Sequence, residues 1–530
     1  MMKWLVKGIQ NGGGDFVLAG ECELKGETRV ITEVPEGITT SVTASLDLST
    51  VEDEHIFMNG YQTWTYCPEY TKNDRIRGVH GLPKAAVDKF SLDRYGDYHF
   101  VKYPNKKGIL HGFSYCWFRD KYRYRLIASL DETPGYTLFT YDASQGKLYL
   151  KRDCSGIACA GDFHAFDLVC LEGTEDEVFD EWFRLLGVKP IRNVPLRGYS
   201  SWYNRYENID SAAIANDLAG CRKILSVNDL FQIDDGWEPA VGDWLKADTE
   251  KFPGGMKREV ERIHEAGFQA GIWVAPFVAE EESETFRKHP DWFVRVNGQP
   301  WKLGCNWSGF YGLDIDHPEV RKYLEKVFRR IFDEWGFDLV KLDFLYGAAA
   351  FGTRKESRAA RMIRAMKWLR ELCGDHAIIG CGVPVMPAFG LVDYCRISCD
   401  VTLDWNDKLY MQIIHRERPS TKQAVGNILS RRQLNGRAYL SDPDVFFLRE
   451  ENCRLTEEEK TELAKLDALL GGAWLTSDDP GSYTPDMRRN YWLIRRYTEA
   501  QNVQYDPVRG RVNYELDGYP AHLDLKALLK

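Results

Sequence analysis

A lysine and an aspartate stand two residues apart in a short apolar segment, Val340-Lys341-Leu342-Asp343-Phe344. Side chains alternate across a β-strand, so Lys341 and Asp343 share one face and the apolar residues share the other. If the apolar face packs on a helix layer, the two charges face the interior or the mouth of a barrel. Charges are costly to desolvate there unless they are paired or used. The segment therefore predicts either a buried structural ion pair or part of a catalytic site.

Further residues that could do chemistry follow six more predicted strand ends. They are Ser201-Trp202-Tyr203-Asn204, Ile233-Asp234-Asp235-Gly236-Trp237, Ile272-Trp273-Val274-Ala275-Pro276, Gly380-Cys381-Gly382-Val383-Pro384, Arg396-Ile397-Ser398-Cys399-Asp400 and Ser441-Asp442-Pro443-Asp444. Glycoside hydrolysis needs one carboxylate to attack the anomeric carbon and another to protonate the leaving oxygen. Metal-assisted proton abstraction instead uses several carboxylates to hold Mg²⁺. The neighbouring aromatic residues favour a sugar, and Lys341 already supplies the cation that a metal would provide at Asp343.

The elements that must position these residues alternate between strand and helix from residue 191 to residue 480. Predicted strands cover Leu196–Asn204, Leu230–Glu238, Gln269–Phe277, Leu339–Gly347, Ala377–Val385, Tyr394–Val401, Ala438–Leu448 and Gly472–Ser477. Predicted helices cover Ser211–Lys223, Met256–Ala266, His317–Trp335, Ser357–Leu372 and Thr456–Leu469. Eight such units predict a closed (β/α)8 TIM barrel of the α/β class, with its active site at the C-terminal ends of the strands.

Two β regions flank the predicted barrel. Residues 1–190 contain short segments rich in β-branched and aromatic residues, separated by turn residues, which predict an N-terminal β-sandwich. A helical pattern over Thr174–Lys189 predicts a connection to the barrel. From about Pro480 the helical signal stops, and the pieces Tyr491–Arg496, Val512–Leu516 and Ala521–Leu523 predict a small C-terminal β domain over residues 481–530.

The composition narrows the classes of partner. The net charge is −10 and the pI is about 5.7, which argues against a nucleic acid or an anionic membrane. The 13 cysteines, an odd number without repeated spacing, predict reduced thiols in a cytoplasmic protein instead of disulfides or a zinc site. No signal peptide or membrane span is predicted. We expect a small-molecule substrate, no metal and no cofactor; the sequence is compatible with a homo-oligomer.

Several stretches together resemble glycoside hydrolase family 36, the bacterial alpha-galactosidases or melibiases, and within it the shorter, thermophile-type branch. The matching stretches are Asn59–Trp64, Phe231–Leu245, Gly271–Trp292, Val340–Leu345, Ile379–Pro384, Pro387–Asp400 and Leu440–Glu450. Each motif is weak by itself, but their joint order is highly specific. The resemblance implies a retaining, exo-acting enzyme of carbohydrate metabolism that removes terminal alpha-linked galactose by double displacement.

The resemblance also implies roles for individual residues. Asp343 would be the nucleophile and Asp400 the general acid/base. The implied substrate-binding residues are Trp64, Trp202, Asp234, Asp235, Trp237, Trp273, Lys341, Cys381 and Arg396. We expect Lys341 to lower the pKa of Asp343 and keep it ionised. Arg396 and Asp400 would be roughly 13 Å apart on a straight strand, so we expect the chain to bend after Arg396 and its main contact to be the sugar.

Structural roles compete with several of these assignments. Asp234 could cap a helix, and Asp442 and Asp444 could simply shape a turn around a proline. Cys381 could be a small buried hydrophobe. Trp307 could line the pocket or cover the surface.

Three functions besides alpha-galactosidase stay open. Ser398-Cys399 stands where relatives commonly have glycine and proline, which raises the possibility of an alpha-N-acetylgalactosaminide preference. A metal-dependent barrel lyase or isomerase would use the same strand-end carboxylates to hold its metal. A non-catalytic sugar-binding relative would use the same aromatic pocket.

Overall fold

The computed structural model describes residues 1–51 and 53–529, and its N-terminal part is one antiparallel sheet of eleven strands. The strands are β1 (Met2–Gln10), β2 (Asp15–Cys22), β3 (Gly26–Asp47), β4 (His55–Met58), β5 (Glu69–Tyr70), β6 (Ile109–Phe113), β7 (Tyr115–Asp120), β8 (Arg123–Ser129), β9 (Thr137–Asp142), β10 (Lys147–Arg152) and β11 (Ala158–Gly173). Helix α1 (Lys84–Phe90) lies between β5 and β6, and helix α2 (Glu175–Leu186) leads to the barrel.

This sheet branches at its longest strand, β3. The first half of β3 pairs with β11 and the second half pairs with β10, so the sheet continues in two directions. Apolar side chains from both branches, including Phe118 of β7 and Leu148 of β10, are buried in one core. The two layers of the predicted sandwich are therefore parts of one continuous sheet.

The middle of the chain forms the predicted barrel. Its strands are β12 (Leu196–Ser200), β13 (Leu230–Ile233), β14 (Gln269–Val274), β15 (Leu339–Leu342), β16 (Ala377–Gly380), β17 (Tyr394–Arg396), β18 (Leu440–Asp442), β19 (Val445–Phe446) and β20 (Ala473–Thr476). All of their pairings are parallel, and neighbours in the sheet follow chain order from β12 to β18, with β20 beside β12. Parallel strands covered on both faces tend to be apolar runs, and Leu230–Ile233 and Ala377–Gly380 are recognisable in the sequence for that reason.

The barrel closes through a seventh strand that is broken in two. Its first part, β18, pairs with β17, and its second part, β19, pairs with β20. Pro443 and Asp444 separate the parts. Pro443 has no N–H to donate, and Asp444 has φ 85, in the left-handed region that non-glycine residues rarely adopt. The break lies beside the candidate site.

Helices follow most of the barrel strands. They are α3 (Trp202–Arg205), α4 (Ser211–Cys221), α5 (Gly255–Glu265), α6 (Pro318–Arg329), α7 (Arg358–Cys373), α8 (Thr421–Arg431), α9 (Glu457–Leu470) and α10 (Pro485–Arg495). After β16 the described chain makes only a short 3-10 turn, Met386–Ala388, before β17.

Helix α10 corrects the prediction that the helical signal stops at Pro480 and that Tyr491–Arg496 is β structure. Thr484 caps the helix by accepting the N–H of Met487, and Pro485 stands at its first turn. Tyr491 and Ile494 are buried, and Tyr491 packs on Trp474 of β20. Helical spacing of the buried residues, not their β propensity, decides the structure there.

A three-stranded antiparallel sheet ends the chain, with β21 (Gln501–Asp506), β22 (Arg511–Leu516) and β23 (Tyr519–Asp524). The division into residues 1–190, 191–480 and 481–530 stays a prediction. An excursion after β14, which includes the short strands Val278–Glu280, Lys302–Gly304 and Phe310–Gly312, reaches the mouth of the barrel. Among the described residues, no helix has the length and apolar character needed to cross a membrane.

Candidate active site

A cavity of about 260 Å³ lies at the C-terminal ends of the barrel strands. Eight of the eleven predicted site residues line it: Trp64, Trp202, Asp234, Asp235, Trp273, Lys341, Asp343 and Asp400. The N-terminal region supplies Trp64, and barrel strands one to four and six supply the others. The structure therefore brings together both carboxylates that the sequence assigned to catalysis, and Trp237, Cys381 and Arg396 lie behind the wall.

Asp343 directly follows β15 and is held by two N–H donors. The indole Nε1–H of Trp273 donates to Oδ2 at 3.1 Å, and the N–H of Phe344 donates to Oδ1 at 2.8 Å. The side chain is almost buried, with the residue 8% exposed. Burial raises the pKa of Asp343, Lys341 opposes that rise, and Asp400 adds to it. Burial has the larger effect, so the pKa of Asp343 is raised on balance, and Lys341 lowers it as expected.

Lys341 makes its ion pair with Asp234 of barrel strand two. Its Nζ lies 2.9 Å from Oδ2 of Asp234, which also accepts from Gln232 at 2.6 Å. Burial by itself would lower the pKa of Lys341, but Asp234 and Asp343 raise it above the usual value of a lysine. The lysine thus stays charged, and Asp234 is a partner of that charge instead of a helix cap.

Asp400 is more open than Asp343, with 38% of its side chain exposed. Nη2 of Arg396 lies 3.0 Å from its Oδ1. This direct pair corrects the expectation that the main contact of Arg396 is the sugar. Strand β17 ends at Arg396, and the chain then turns so that Asp400 comes back toward the arginine. Arg396 itself is 1% exposed and lies beneath the cavity wall.

The arginine has two further carboxylates as neighbours. Its Nη2 lies 3.0 Å from Oδ2 of Asp444, and its Nε lies 3.9 Å from Oδ2 of Asp442. Burial raises the pKa of Asp442, and Arg396 opposes the rise. Asp442 and Asp444 therefore shape the break in strand seven and also form part of the charge network beneath Asp400.

Asp235 carries a different set of neighbours from Asp234. Its Oδ2 accepts the Nε1–H of Trp307 at 2.9 Å, and Glu238 lies beside it in the same buried place. Burial raises the pKa of Asp235 to about 7, although Glu238 and Trp307 donate hydrogen bonds that oppose the rise. Trp307, which could have covered the surface, is thus a wall residue with a polar contact to the site.

Trp64 connects the N-terminal sheet to the cavity. Its Nε1–H donates to Sγ of Cys381 at 3.1 Å, and its ring meets the ring of Phe344 edge-on at 5.0 Å. A Cβ at residue 382 would lie 2.8 Å from the Trp64 ring, and Gly382 has φ +58. Only glycine suits both conditions at residue 382. Cys381 is buried behind Trp64, and its thiol also hydrogen-bonds to Asp343.

Trp237 does not line the cavity. It is fully buried, its Nε1–H donates to the carbonyl oxygen of Trp273 at 2.9 Å, and its ring packs on Trp335. It therefore supports Trp273 from behind. Trp202, on the short helix after β12, is partly exposed and lines the cavity.

Several wall residues lie outside the sequence prediction: Tyr95, Glu207, Asn306, Phe344, His415, Glu417 and Pro419. The segment with His415 returns to the site because Ser420 N–H donates to the carbonyl oxygen of Asp400 at 2.8 Å. His415 stacks on Tyr95 with ring centroids 4.7 Å apart. Burial lowers the pKa of His415 to about 3, so the imidazole is neutral. Most of these residues sit in loops, where the sequence has no periodic pattern. Two of them stand next to residues that the sequence marks as candidates: Asn306 precedes Trp307, and Phe344 follows Asp343.

The described residues contain no group of three or more His, Cys, Asp and Glu side chains arranged to hold a metal ion. The charges that balance the site carboxylates are those of Lys341 and Arg396.

Comparison with known proteins agrees with the chemistry of this cavity. Residues 198–369 match the family model described as Melibiase. An alpha-galactosidase of Escherichia coli is 32% identical over 149 residues, covering 27% of this chain and 20% of the relative. An A type blood alpha-D-galactosamine galactosaminidase of Flavonifractor plautii is 33% identical over 124 residues, covering 22% of this chain and 11% of the relative. The chain thus spans about a fifth or less of the length of these curated relatives.

A solved structure matches over the whole chain. The alpha-galactosidase from Thermus thermophilus, in complex with p-nitrophenyl alpha-D-galactopyranoside, is 27% identical with a TM-score of 0.76, and 99% of each chain is covered. A barrel of this fold with two aspartates in one strand-end cavity has the paired carboxyl groups that glycoside hydrolysis needs. The Melibiase match over residues 198–369 and the likeness to the Thermus thermophilus structure agree with the resemblance of the motifs to glycoside hydrolase family 36.

Proposed function

We propose that this protein is a retaining, exo-acting alpha-galactosidase that releases terminal alpha-linked galactose from small galactosides by double displacement. The observation that carries the proposal is the single cavity that Asp343 and Asp400 share. At about 260 Å³ it is near the lower end of the roughly 300–1,000 Å³ typical of small-molecule sites. A cavity of this size favours a terminal sugar over an internal segment of a polysaccharide.

In the first step Asp343 attacks the anomeric carbon, and the covalent galactosyl-enzyme forms as the glycosidic bond breaks. Trp273 and the Phe344 N–H orient the carboxylate for this attack. Because burial raises its pKa, Asp343 depends on Lys341 and on these donors to be ionised at the moment of attack.

Asp400 protonates the leaving oxygen in the first step and takes a proton from water in the second. Its partly exposed position suits both roles, because the leaving group and then a water molecule must reach it. Asp234, Asp235 and Lys341 supply charged hydrogen-bonding groups for the sugar hydroxyls, and the tryptophans Trp64, Trp202 and Trp273 supply apolar surface for the ring.

A preference for amino sugars is the second candidate, favoured by the galactosaminidase among the relatives. Ser398 and Cys399, which raised this possibility, are both buried. The Ser398 hydroxyl donates to the carbonyl oxygen of Cys399 at 2.9 Å, and neither residue lines the cavity. Their side chains therefore give the second candidate no support.

The test is a panel of p-nitrophenyl alpha- and beta-glycosides, with and without EDTA. It includes the alpha-galactoside, the alpha-N-acetylgalactosaminide and the alpha-galactosaminide. We expect rapid hydrolysis of the alpha-galactoside, no effect of EDTA, and alpha-galactose as the first product seen by NMR. Loss of activity in EDTA would favour a metal-dependent enzyme, and galactose binding without hydrolysis of any substrate would favour a sugar-binding protein.

We also propose a cytoplasmic location. All thirteen cysteines lie within the described residues as free thiols, nine of them buried. Free thiols persist in a reducing compartment.

A further inference from the structure

Asp444 stands at the break in the seventh barrel strand and reaches under the proposed acid/base. The residue follows Pro443, has φ 85, and donates its N–H to Oδ1 of Asp442 at 2.9 Å. A backbone held in the left-handed region costs energy for an aspartate. The surrounding contacts must therefore fix this residue firmly in place.

One oxygen of Asp444 collects three donors. Its Oδ2 accepts the hydroxyl of Tyr203 at 2.7 Å and the N–H of Val401 at 2.9 Å, and Nη2 of Arg396 lies 3.0 Å away. Val401 is the residue that directly follows Asp400. The carboxylate of Asp444 thus holds both the backbone beside Asp400 and the cation that pairs with Asp400.

Arg396 is shared and does not belong to Asp400 alone. The same nitrogen, Nη2, lies 3.0 Å from Oδ1 of Asp400 and 3.0 Å from Oδ2 of Asp444. An arginine paired only with Asp400 would stabilise its ionised form, in which it cannot give a proton to the leaving group. Division of the cation between two carboxylates weakens that effect.

We infer that Asp444 is a positioning residue for the acid/base: it fixes the chain next to Asp400 and draws Arg396 away, so that Asp400 can hold the proton it delivers. The inference rests on the proposed function and deepens it. Burial raises the pKa of Asp444 to about 7, and Arg396 opposes the rise while Asp400 adds to it. The two carboxylates share one cation, so a change at Asp444 changes the positive charge that Asp400 faces.

The other titratable groups that face Asp400 come from four further parts of the barrel. Asp343 faces it from strand four and Asp442 from strand seven. The tyrosines Tyr203 and Tyr206 and the thiols of Cys381 and Cys399 also face it, and burial raises the pKa of each, so they stay neutral around pH 7. Around pH 7, changes of charge near Asp400 therefore come from the carboxylates.

The test is Asp444→Asn. Asparagine tolerates the left-handed region, and its carbonyl oxygen can still accept from Val401 and Tyr203, so the fold should persist. Only the negative charge that draws Arg396 is lost. The variant and the wild type are compared for kcat and kcat/KM across pH 4–9, with melibiose and with p-nitrophenyl alpha-galactoside, and thermal melting checks folding.

Activity falls on the basic side of the profile when the acid loses its proton. In Asp444→Asn, Arg396 favours the ionised acid, so we expect the basic limb to move to lower pH by about one unit, with the acidic limb unchanged. Melibiose, with its poor leaving group, should lose about tenfold more activity at pH 7.5 than the aryl substrate does. A merely structural role would lower activity equally at every pH and for both substrates.

Asp442→Asn is the matched control, since Asp442 lies two residues away and only its more distant 3.9 Å contact reaches the arginine. We expect a smaller shift of its basic limb. A folded Asp444→Asn enzyme with the wild-type pH profile would overturn the inference and leave the proposed function intact. A wild-type enzyme that hydrolyses no galactoside would instead remove the proposed function.

Discussion

The two halves of the site are built from the same kinds of residue but balance their charges differently. On the nucleophile half, Lys341 lies in β15 and Asp343 directly follows it, and the lysine pairs with Asp234 at 2.9 Å. On the acid/base half, Arg396 faces Asp400, Asp442 and Asp444, with two of the three at 3.0 Å. One half thus has one cation for two carboxylates, and the other has one cation for three.

Exposure separates the halves as well. Asp343 is 8% exposed and accepts two hydrogen bonds from N–H groups, whereas 38% of the Asp400 side chain is exposed. A nucleophile gains from a fixed position, because attack needs one geometry. An acid/base must meet a leaving group and then water, so it needs access. The difference in burial matches the difference in the proposed roles.

The comparison teaches that spacing along a strand does not decide which charges pair. Lys341 and Asp343 are two residues apart on one face, yet the lysine pairs with Asp234 from another strand. Arg396 and Asp400 are four residues apart and pair directly, because the strand ends between them. Cross-barrel neighbours and turns decide the pairing.

The strongest test of the comparison is Asp343→Ala. Loss of the nucleophile should lower kcat/KM on the order of 10⁴-fold or more. Azide should partly restore turnover by attacking from the face that Asp343 leaves open, which gives beta-galactosyl azide. The measurement is initial rate with and without azide, with NMR of the product. Near-normal activity without azide would remove Asp343 from the mechanism.

Asp400→Ala should have a smaller effect that depends on the leaving group. We expect a loss of roughly 10²–10⁴-fold on melibiose and a weaker loss for the first step on an aryl galactoside, whose leaving group needs little protonation. Azide should now attack the galactosyl-enzyme from the opposite face and give alpha-galactosyl azide. The two azide products therefore distinguish the two halves, and an exchange of products between the variants would reverse their roles.

Much of the fold could be predicted because the barrel strands are mostly apolar and alternate with amphipathic helices. All eight strand positions, and the helices that begin at Ser211, Gly255 and Pro318, matched periodic segments. Helix α10 was missed because Tyr491, Trp492 and Leu493 are typical of β structure, whereas the buried positions Tyr491 and Ile494 have helical spacing. Packing overrides local propensity there.

The candidate site was predictable where residues stand at strand ends, as Asp234, Asp343 and Asp400 do. The part of the cavity wall formed by His415 and Tyr95 was not predictable, because both residues lie in loops that meet only in the folded chain. Trp237 was misplaced for a related reason. It follows a strand end, but its indole turns toward the carbonyl oxygen of Trp273, away from the cavity.

Removal of the Asp234 charge from the nucleophile half should lower kcat/KM by less than the loss of either Asp343 or Asp400. Asp234→Asn removes the charged partner of Lys341, and loss of a charged hydrogen bond of about 1.5–3 kcal/mol corresponds to roughly 10- to 150-fold in kcat/KM. Lys341 then acts more strongly on Asp343 and favours its ionised form. The acidic limb of the pH profile, where Asp343 gains a proton, should move to lower pH. An unchanged acidic limb would show that Lys341 and Asp343 are uncoupled.

The smallest expected effect on activity comes from replacing one of two tryptophans that line the cavity, Trp64 and Trp273, with phenylalanine. Trp273→Phe removes the donor to Asp343, so it should lower kcat. Trp64→Phe removes the hydrogen bond to the Cys381 thiol and part of the apolar surface that lines the cavity. A thiol is a weak acceptor, and phenylalanine keeps the edge contact with Phe344. We expect Trp64→Phe to raise KM for the aryl galactoside by less than about tenfold with kcat nearly unchanged. A fall in kcat as large as that of Trp273→Phe would mean that the N-terminal region takes part in the chemical step and not only in binding.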